Sequence, residues 1–203
     1  MQNIRFGAQQ VQPSKVVCIG RNYADHIAEL NNEVPTQAVI FMKPNSAVTD
    51  VLRIHNGDEV HYEGEISLLV QGGQYTAVAF GLDLTKRQVQ NQLKEKGLPW
   101  ERAKAFDGAA VFSEFVALNV PLESLHLELW IDGKLAQAGG VPLMLNKPAA
   151  LLQEIQSFAT LEDGDVIMTG TPKGVGQVLP GQTYTGKIFS DAQLLVEATW
   201  IVQ

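Results

Sequence analysis

Apolar residues along this chain occur mainly as short runs, rich in β-branched side chains, between polar and glycine-containing segments. Runs of this length and composition favour β-strands over helices. The pattern predicts strands over residues 15–20, 38–43, 59–70, 75–84, 125–131 and 165–170, and a closing hairpin formed by 182–189 and 193–202. Asp132-Gly133, directly after one of these runs, is a strong signal for a hairpin turn.

Three segments have helical composition, namely residues 23–30, 85–97 and 147–159. Asn22 and Thr85 are candidate N-caps of the first two, and Gly97 is a candidate residue just beyond the end of the second. A proline lies near the start of the third helix, where it is tolerated. A regular alternation of strand and helix is missing, which argues against a doubly wound α/β fold. We therefore expect one mixed, mainly β domain with a few short helices over residues 1–203.

Amino-acid composition and charge narrow the classes of function that this chain can have. The chain has 203 residues, of which 18% are charged, with a net charge of −7 and a pI near 5.1. No basic run is present, so we expect no nucleic-acid partner, and no apolar run approaches the roughly 20 residues of a membrane span. Cys18 is the single cysteine, which excludes an intrachain disulfide, and the N-terminus lacks a signal-peptide pattern. These features predict a cytoplasmic protein.

Two glutamates, Glu63 and Glu65, lie within one predicted strand with a single glycine between them. Side chains on a strand alternate faces, so these two project to the same side, roughly 7 Å apart. Asp83, at the end of the next apolar run, can supply a third oxygen to a hard divalent cation. The alternatives are a solvated strand face for the glutamates and a helix cap for Asp83.

His26 and Glu29 form a second constellation. On a helix they lie at positions i and i+3 and therefore share a face. A carboxylate beside an imidazole fixes its tautomer and raises its basicity, which suits a general base for water. An ordinary surface His–Glu pair is the alternative interpretation.

The glycine- and threonine-rich segment TGTPKGVG (169–176) follows a predicted buried strand. Such a loop can offer backbone N–H groups and a hydroxyl to an anion. It lacks the residue order of a nucleotide-binding P-loop. A simple glycine-rich turn is the alternative.

Six stretches, taken together, carry a resemblance to a known family: CIGRNYADHIAEL, VIFMKP, VHYEGEISLLV, GLDLTKRQVQ, GLPWERAKAFD and IMTGTPKGVG. In this order and spacing they resemble the fumarylacetoacetate hydrolase family, in its compact single-domain branch of acylpyruvate hydrolases and related isomerases and decarboxylases. The resemblance runs from about residue 15 to the end and leaves residues 1–14 as an N-terminal extension. It implies a β-roll like the C-terminal domain of that family, a homodimer, and one Mg²⁺ or Mn²⁺ per subunit.

The resemblance also implies roles for individual residues. The metal ligands would be Glu63, Glu65 and Asp83. The catalytic residues would be His26, Glu29 and Lys104, and the substrate contacts would be Arg21, Gln90, Gly170 and Thr171. The loop 31–37 matches a segment that resembles a lid over the bound substrate.

Several positions depart from the family pattern. Gln88 stands where an aspartate is usual, which we expect to remove a charge near the metal site. The stretch between Val48 and Glu59 is short, so one wall of the pocket is expected to be trimmed. The segment after Gly133 keeps Gln137 and Met144 but lacks the usual polar residues between them. Candidates for contact with a second substrate carboxylate are Arg21, Arg102 and Lys173.

The activity expected first from the resemblance is hydrolysis of an acylpyruvate, a 1,3-diketo acid, to pyruvate and a carboxylic acid. In that reaction His26, polarised by Glu29, would activate water, and Lys104 with Gln90 would stabilise developing negative charge. The alternatives are isomerisation of a 2-hydroxyhepta-2,4-diene-1,7-dioate type of substrate, or decarboxylation of oxaloacetate through the same metal enolate. A non-catalytic metabolite-binding protein is a further alternative from a different class.

Overall fold

The computed structural model describes residues 1–30, 33–54 and 59–203. Over these residues the chain forms seventeen strands, four α-helices and three short 3₁₀ helices. The strands are β1 (Ile4–Phe6), β2 (Gln9–Val11), β3 (Lys15–Gly20), β4 (Val39–Pro44), β5 (Val48–Thr49), β6 (Val60–Tyr62), β7 (Gly64–Gln71), β8 (Gln74–Asp83), β9 (Thr85–Lys86), β10 (Ala110–Phe112), β11 (Val116–Ala117), β12 (Leu125–Ile131), β13 (Lys134–Gly140), β14 (Val166–Met168), β15 (Gly176–Gln177), β16 (Thr183–Ser190) and β17 (Gln193–Ile201). The α-helices are α1 (Ala24–Glu29), α2 (Arg87–Glu95), α3 (Glu101–Lys104) and α4 (Pro148–Phe158), and the 3₁₀ helices are Asn45–Ala47, Leu122–Ser124 and Val141–Leu143.

The strands form four sheets. The largest has eight strands in the order β4-β3-β14-β7-β8-β10-β5, with β11 attached to β8. A four-stranded antiparallel sheet has the order β13-β12-β16-β17, and smaller sheets are formed by β15-β6-β9 and by β1-β2. The mainly β fold with few helices expected from the sequence is confirmed. None of the described helices is long and apolar enough to cross a membrane.

The main core lies between the large sheet and the four-stranded sheet. Ile66 and Phe80 of the large sheet belong to the same apolar cluster as Leu127 and Ile188 of the four-stranded sheet. Buried and partly exposed positions alternate along β12 and β16, as expected for a sheet covered on one face. By contrast, β7 is buried along nearly its whole length, so the large sheet has a second covered face.

Helix α4 covers part of that second face. Leu151 and Ile155 pack in one apolar cluster with Val17 of β3 and Ile167 of β14. The central strands are therefore enclosed by side chains on both sides, which explains why their sequences are continuous apolar runs. Charged residues within these strands are accordingly buried, and they need partners there.

The single long strand predicted over residues 59–70 is interrupted at Glu63. The segment before it, β6, belongs to the small sheet, and the segment after it, β7, belongs to the large sheet. A Cβ on Gly64 would lie 3.0 Å from the side chains of Gln137 and Phe80, so a larger residue at this crossing point would have to displace them. The crossing places Glu63 at the junction of two sheets.

Two predicted helix caps are wrong. Helix α1 is preceded by Tyr23, and the Asn22 side chain instead donates to the Thr169 carbonyl oxygen at 2.8 Å. Thr85 belongs to β9, and α2 begins only at Arg87. Asn22 therefore fastens the start of α1 to the loop that follows β14.

Other local predictions are confirmed. Gly97 has a positive φ of 62° just beyond α2, and α4 begins with Pro148. Asp132 and Gly133 have φ values of 50° and 75° and form the hairpin turn between β12 and β13. The short helix α3, which carries Lys104, was not predicted because a single turn has too little periodicity to be recognised.

Candidate active site

Three carboxylates meet where β6, β7 and β8 come together. Glu63 lies between β6 and β7, Glu65 is the second residue of β7, and Asp83 ends β8. The Asp83 backbone N–H donates to the Glu63 carbonyl oxygen at 2.8 Å, which fixes the two strand ends side by side. All three side chains are buried, and one oxygen from each lies within 4.8 Å of the others. We call these three residues the acidic triad.

Three buried cations surround the acidic triad. The Lys104 ammonium donates to Glu63 Oε2 at 2.7 Å and to Asp83 Oδ2 at 2.8 Å. Arg87 Nη2 donates to Glu63 Oε1 at 2.5 Å. Lys43 Nζ lies 2.9 Å from Asp83 Oδ1. Glu63 and Asp83 are thus paired with these three cations, and none of the three forms an ion pair with Glu65.

Lys43 and Arg87 are site residues that the sequence analysis missed. The Lys43 side chain is fully buried and also donates to the backbone carbonyl oxygens of Leu84 and Lys104. Its contact with Asp83 lacks hydrogen-bond geometry, so Asp83 Oδ1 accepts no hydrogen bond from the described residues. The only signal in the sequence was a lone lysine at the end of an otherwise apolar strand.

Burial and neighbouring charge shift the pKa values of this cluster in different directions. Burial opposes ionisation of Glu63, yet the charges of Lys104 and Arg87 hold its pKa well below the usual range. For Glu65, burial and the charges of Asp83 and Glu63 act together and raise the pKa well above the usual value. Burial also opposes the charged form of Lys104, but Asp83 and Glu63 raise its pKa. Among the described residues, Glu65 is therefore the carboxylate of the triad that forms no ion pair.

The acidic triad fits a hard divalent cation. Its donors are carboxylate oxygens only, which suit Mg²⁺ or Mn²⁺ rather than a thiolate-preferring metal. Asp83 Oδ1 accepts no hydrogen bond from the described residues, and burial together with the charges of Asp83 and Glu63 raises the pKa of Glu65. A divalent cation held by Glu63, Glu65 and Asp83 would favour the charged form of all three.

The predicted dyad of His26 and Glu29 lies next to the acidic triad, and its histidine lines a pocket that Glu63 and Glu65 also line. His26 Nδ1 lies 3.1 Å from Glu29 Oε2, and the other Glu29 oxygen accepts the Gly174 backbone N–H at 3.0 Å. The His26 ring is buried and lines the pocket together with Glu63 and Glu65. Because Glu29 engages Nδ1, the Nε2 nitrogen is left for a substrate or water.

The loop after β14 borders the acidic triad. The Gly170 N–H donates to Glu65 Oε2 at 2.8 Å, so this amide holds a candidate metal ligand. Gly170 has a φ of +99°, and a Cβ there would meet Asn22 at 2.8 Å, so glycine is required. Thr171 lines the pocket, and its hydroxyl accepts a hydrogen bond from Gln137 at 2.8 Å. Arg21 and Gln90 line the pocket from other elements.

Three sequence predictions about this region are wrong. Gln88 is exposed and donates to Glu59 at 2.7 Å, so its substitution for aspartate leaves the acidic triad untouched. Arg102 is exposed and is not among the described residues that line the pocket, so the structure does not support it as a second carboxylate contact. Lys173 is likewise exposed and pairs with Asp25 at 3.0 Å.

Two further predictions lie partly outside the described residues. The proposed lid over 31–37 includes residues 31 and 32, and the trimmed stretch between Val48 and Glu59 includes residues 55–58. Residues 33, 34, 36 and 37 of the lid segment are exposed. The described part of the pocket wall includes Phe41 and Trp100, whose tilted rings have centroids 5.7 Å apart.

Comparison with known proteins places the chain among enzymes. An oxaloacetate tautomerase of Schizosaccharomyces pombe mitochondria is 37% identical over 196 residues, covering 87% of this chain and 89% of that protein. An oxaloacetate tautomerase of Escherichia coli is 37% identical over 190 residues, covering 85% and 87%.

Solved structures share the whole fold. A candidate fumarylacetoacetate isomerase/hydrolase from Oleispira antarctica superposes with a TM-score of 0.95 at 36% identity and covers 100% of both chains. The fumarylpyruvate hydrolase of Pseudomonas aeruginosa, solved with Mn²⁺ and pyruvate, has a TM-score of 0.89 at 27% identity and covers 99% of this chain and 95% of that one.

The family assignment follows from the extent of these matches. The sequence model of the fumarylacetoacetate hydrolase C-terminal family matches residues 15–199, which include the acidic triad, the dyad and the glycine-rich loop. This chain is therefore an enzyme of the fumarylacetoacetate hydrolase family.

Proposed function

We propose that this chain is a metal-dependent enzyme that converts the enol form of oxaloacetate, or of a closely related dicarboxylic keto acid, to the keto form. The observation that carries the proposal is that His26, which pairs with Glu29, lines one pocket together with Glu63 and Glu65 of the acidic triad. The similarity to oxaloacetate tautomerases supports this activity over acylpyruvate hydrolysis, which the sequence analysis placed first.

The charge of the pocket supports an anionic substrate. Lys43, Arg87 and Lys104 already pair with Glu63 and Asp83 of the acidic triad. A divalent cation held by the triad would add positive charge to a pocket that Arg21 and Lys94 also line, which is complementary to an anionic substrate. When bound, it would act as a Lewis acid that polarises a keto or enol oxygen.

We assign proton transfer to the dyad of His26 and Glu29. In the reaction the enol hydroxyl loses a proton, its oxygen becomes the keto oxygen, and the neighbouring carbon gains a proton. His26 is placed to carry the proton, because its ring lines the pocket and is oriented by Glu29 through Nδ1. Gly174 holds Glu29 in this position.

We assign stabilisation of the negative charge of the intermediate to Lys104 and Gln90, which line the pocket together with His26. The Lys104 ammonium stays protonated because the neighbouring carboxylates raise its pKa, although burial opposes this. Gln90, held by a 2.7 Å hydrogen bond from Arg87 Nη1 to its Oε1, keeps its amide N–H groups available for an oxyanion. Fixed donors of this kind in a buried site need little reorganisation during the reaction.

A second candidate is hydrolysis of an acylpyruvate. The structural similarity to a fumarylpyruvate hydrolase supports it. In that reaction the same dyad would take a proton from water rather than from an enol. Mg²⁺ or Mn²⁺ as the cofactor, the homodimer and the cytoplasmic location stay predictions.

The test is an enol-to-keto assay with freshly dissolved enol-oxaloacetate, followed by the loss of its ultraviolet absorbance, with Mg²⁺ and with EDTA. We expect metal-dependent acceleration that falls about 10²- to 10⁴-fold in His26→Gln, the range for loss of a general acid–base. His126→Gln is the matched control, because His126 stacks on Phe189 in the four-stranded sheet.

Acetylpyruvate is assayed in parallel. Release of pyruvate from acetylpyruvate, without acceleration of the oxaloacetate reaction, would replace the tautomerase proposal by the hydrolase. Metal binding without turnover of either substrate would favour the non-catalytic alternative.

A further inference from the structure

One buried polar residue of the four-stranded sheet has no part in the chemistry described so far. Gln137 lies in β13 and is 1% exposed. It pairs with Leu129 of β12, which belongs to the main apolar core. A carboxamide buried at such a position needs hydrogen-bond partners, because an unpaired polar group in the core is costly.

The partners of Gln137 belong to two different parts of the active site. Its Oε1 accepts the backbone N–H of Gly64, the residue between the two glutamates of the acidic triad, at 2.9 Å. Its Nε2 donates to the Thr171 hydroxyl and to the Pro172 carbonyl oxygen, both at 2.8 Å. One side chain therefore connects the strand that carries the triad to the loop after β14.

That loop lies directly against β13. A Cβ on Gly174 would overlap the Ala136 carbonyl oxygen, and a Cβ on Gly139 would lie 2.7 Å from the Pro172 side chain. The same loop holds Glu29 of the dyad through the Gly174 N–H. The position of the loop, and with it the position of Thr171, therefore depends on its contacts with β13.

The bond from Gln137 also determines what Thr171 can offer the pocket. The carboxamide orientation is fixed by its partners, since the Gly64 N–H only donates and the Pro172 carbonyl oxygen only accepts. Gln137 Nε2 therefore occupies an acceptor position of the Thr171 hydroxyl and leaves its O–H to donate elsewhere. The Pro172 carbonyl oxygen lies 3.4 Å from this hydroxyl and already accepts from Gln137. The O–H is thus available to an acceptor in the pocket that Thr171 lines.

We infer that Gln137 is a positioning residue of the active site. It directs the Thr171 O–H toward a carboxylate or enolate oxygen of the substrate, and it anchors Gly64 between the candidate metal ligands. Gln137 is not among the described residues that line the pocket, so it acts through these two neighbours. The inference rests on the proposed function in one respect, namely that a 2-keto acid binds beside Thr171.

The test is a double-mutant cycle of Gln137→Met and Thr171→Val, measured by calorimetric binding of pyruvate at saturating Mn²⁺. Methionine keeps the length and apolar packing of glutamine and removes its three hydrogen bonds. We expect each single variant to bind pyruvate about tenfold more weakly, the size of one hydrogen bond to a charged group. The double variant should bind no more weakly than Thr171→Val, because Gln137 acts on pyruvate through the Thr171 hydroxyl.

Mn²⁺ affinity tests the contact between Gln137 and Gly64. Gln137→Met leaves the buried Gly64 N–H without its acceptor. We expect this variant to bind Mn²⁺ about tenfold more weakly, the lower end of the range for loss of a group that orients metal ligands. Thr171→Val keeps the bond to Gly64 and should bind Mn²⁺ as the wild type does.

Three further variants make the test specific. Gln156→Met is the matched control, because Gln156 Nε2 also donates to a distant backbone carbonyl oxygen, that of Gly73 at 3.0 Å, outside the pocket. It should bind Mn²⁺ and pyruvate normally. Thr171→Ser keeps the hydroxyl and should retain most of the pyruvate affinity. Gln137→Asn keeps the carboxamide but is too short to reach both partners, so it should weaken both ligands even if Gln137→Met does not fold.

Several results would overturn the inference. Wild-type affinity for pyruvate or for Mn²⁺ in the Gln137 variants would remove one of its two contacts. Additive losses of pyruvate affinity in the double variant would show that Gln137 and Thr171 act independently. Failure of the wild type to bind pyruvate would overturn it as well.

Kinetics on oxaloacetate separate this inference from the proposed function. If the wild type does not accelerate enol-oxaloacetate conversion but the losses of pyruvate affinity are non-additive, the proposed function fails and the role of Gln137 stands. If the enzyme converts oxaloacetate and Gln137→Met keeps the wild-type KM and kcat, the role of Gln137 fails and the proposed function stands.

Discussion

Replacement of Lys43 by methionine is expected to have opposite effects on the metal-free and the metal-bound protein. Lys43 is fully buried, and its ammonium lies 2.9 Å from Asp83 Oδ1. Methionine has a similar length and keeps the apolar packing of the stem, but it removes the charge. The buried Asp83 would then depend on Lys104 alone for charge compensation.

The magnitude follows from the geometry. Two unit charges 2.9 Å apart at an effective dielectric constant of about 20 attract each other by about 6 kcal/mol, and the desolvation of Lys43 offsets part of this. Breaking a buried pair typically costs about 3–5 kcal/mol, and the retained Lys104 contact places the expected loss near the lower end, about 3 kcal/mol. For a chain of this size, that loss lowers the Tm by about 6–12 °C.

Metal binding should change in the other direction. A divalent cation on the acidic triad and the Lys43 ammonium repel each other, because both lie next to Asp83. Removal of Lys43 should therefore tighten Mn²⁺ binding by at least about tenfold. Saturating Mn²⁺ should then restore part of the stability that the variant loses.

The assay is thermal and urea unfolding of Lys43→Met with and without Mn²⁺, together with calorimetric Mn²⁺ titration. Lys187→Met is the control, because Lys187 and Glu197 also lie 2.9 Å apart but are 28% and 44% exposed. This control should lose less than about 1 kcal/mol. If Lys43→Met lost both stability and Mn²⁺ affinity, Lys43 would be a scaffold for the site rather than a counter-charge, and the electrostatic reasoning would be refuted.

Three further predictions concern stability and reactivity. Burial opposes ionisation of Asp165, but hydrogen bonds, foremost from Lys15, lower its pKa. The ionised carboxylate therefore stabilises the folded protein above the pKa of the unfolded state, which is near 4. This contribution disappears as the pH falls through the lower pKa of the folded state. Asp165→Asn should therefore cost about 2 kcal/mol in urea unfolding at pH 7 and less near pH 3; an equal loss at both would contradict this. A Cβ on Gly186 would lie 2.2 Å from the Phe80 ring, so Gly186→Ala should cost about 1–3 kcal/mol, and Phe80→Leu in the same chain should recover part of it. Cys18 is buried with its pKa raised by burial, so thiol reagents should label it only in denaturant, and rapid labelling of native protein would disprove this.

The convergence of Glu63 and Glu65 could be predicted from sequence because strand side chains alternate with a period of two. The break in the strand at Glu63 was missed, although the adjacent Gly64 was a signal, since a glycine inside an apolar strand often marks a bend or a close approach. The oxygens of the two glutamates still converge, because Glu65 is the second residue of β7 and lies only two positions after Glu63.

The cationic side of the site could not be predicted from local pattern. Lys43 is fully buried while its neighbour Met42 is 37% exposed, the reverse of what hydrophobicity favours. The inversion is caused by Asp83, 40 residues away in sequence, whose burial requires a counter-charge. Arg87 was overlooked for the same reason, because its partner Glu63 is reached only through the fold.

The most direct test of the account is Mn²⁺ binding by calorimetry on wild type, Glu65→Gln and an exposed control, Glu123→Gln. Wild type and the control should bind one Mn²⁺ per chain with equal affinity, and Glu65→Gln should bind about 100-fold more weakly or not at all. Undiminished binding by Glu65→Gln, or no binding by wild type, would contradict the assignment of the acidic triad as the metal centre.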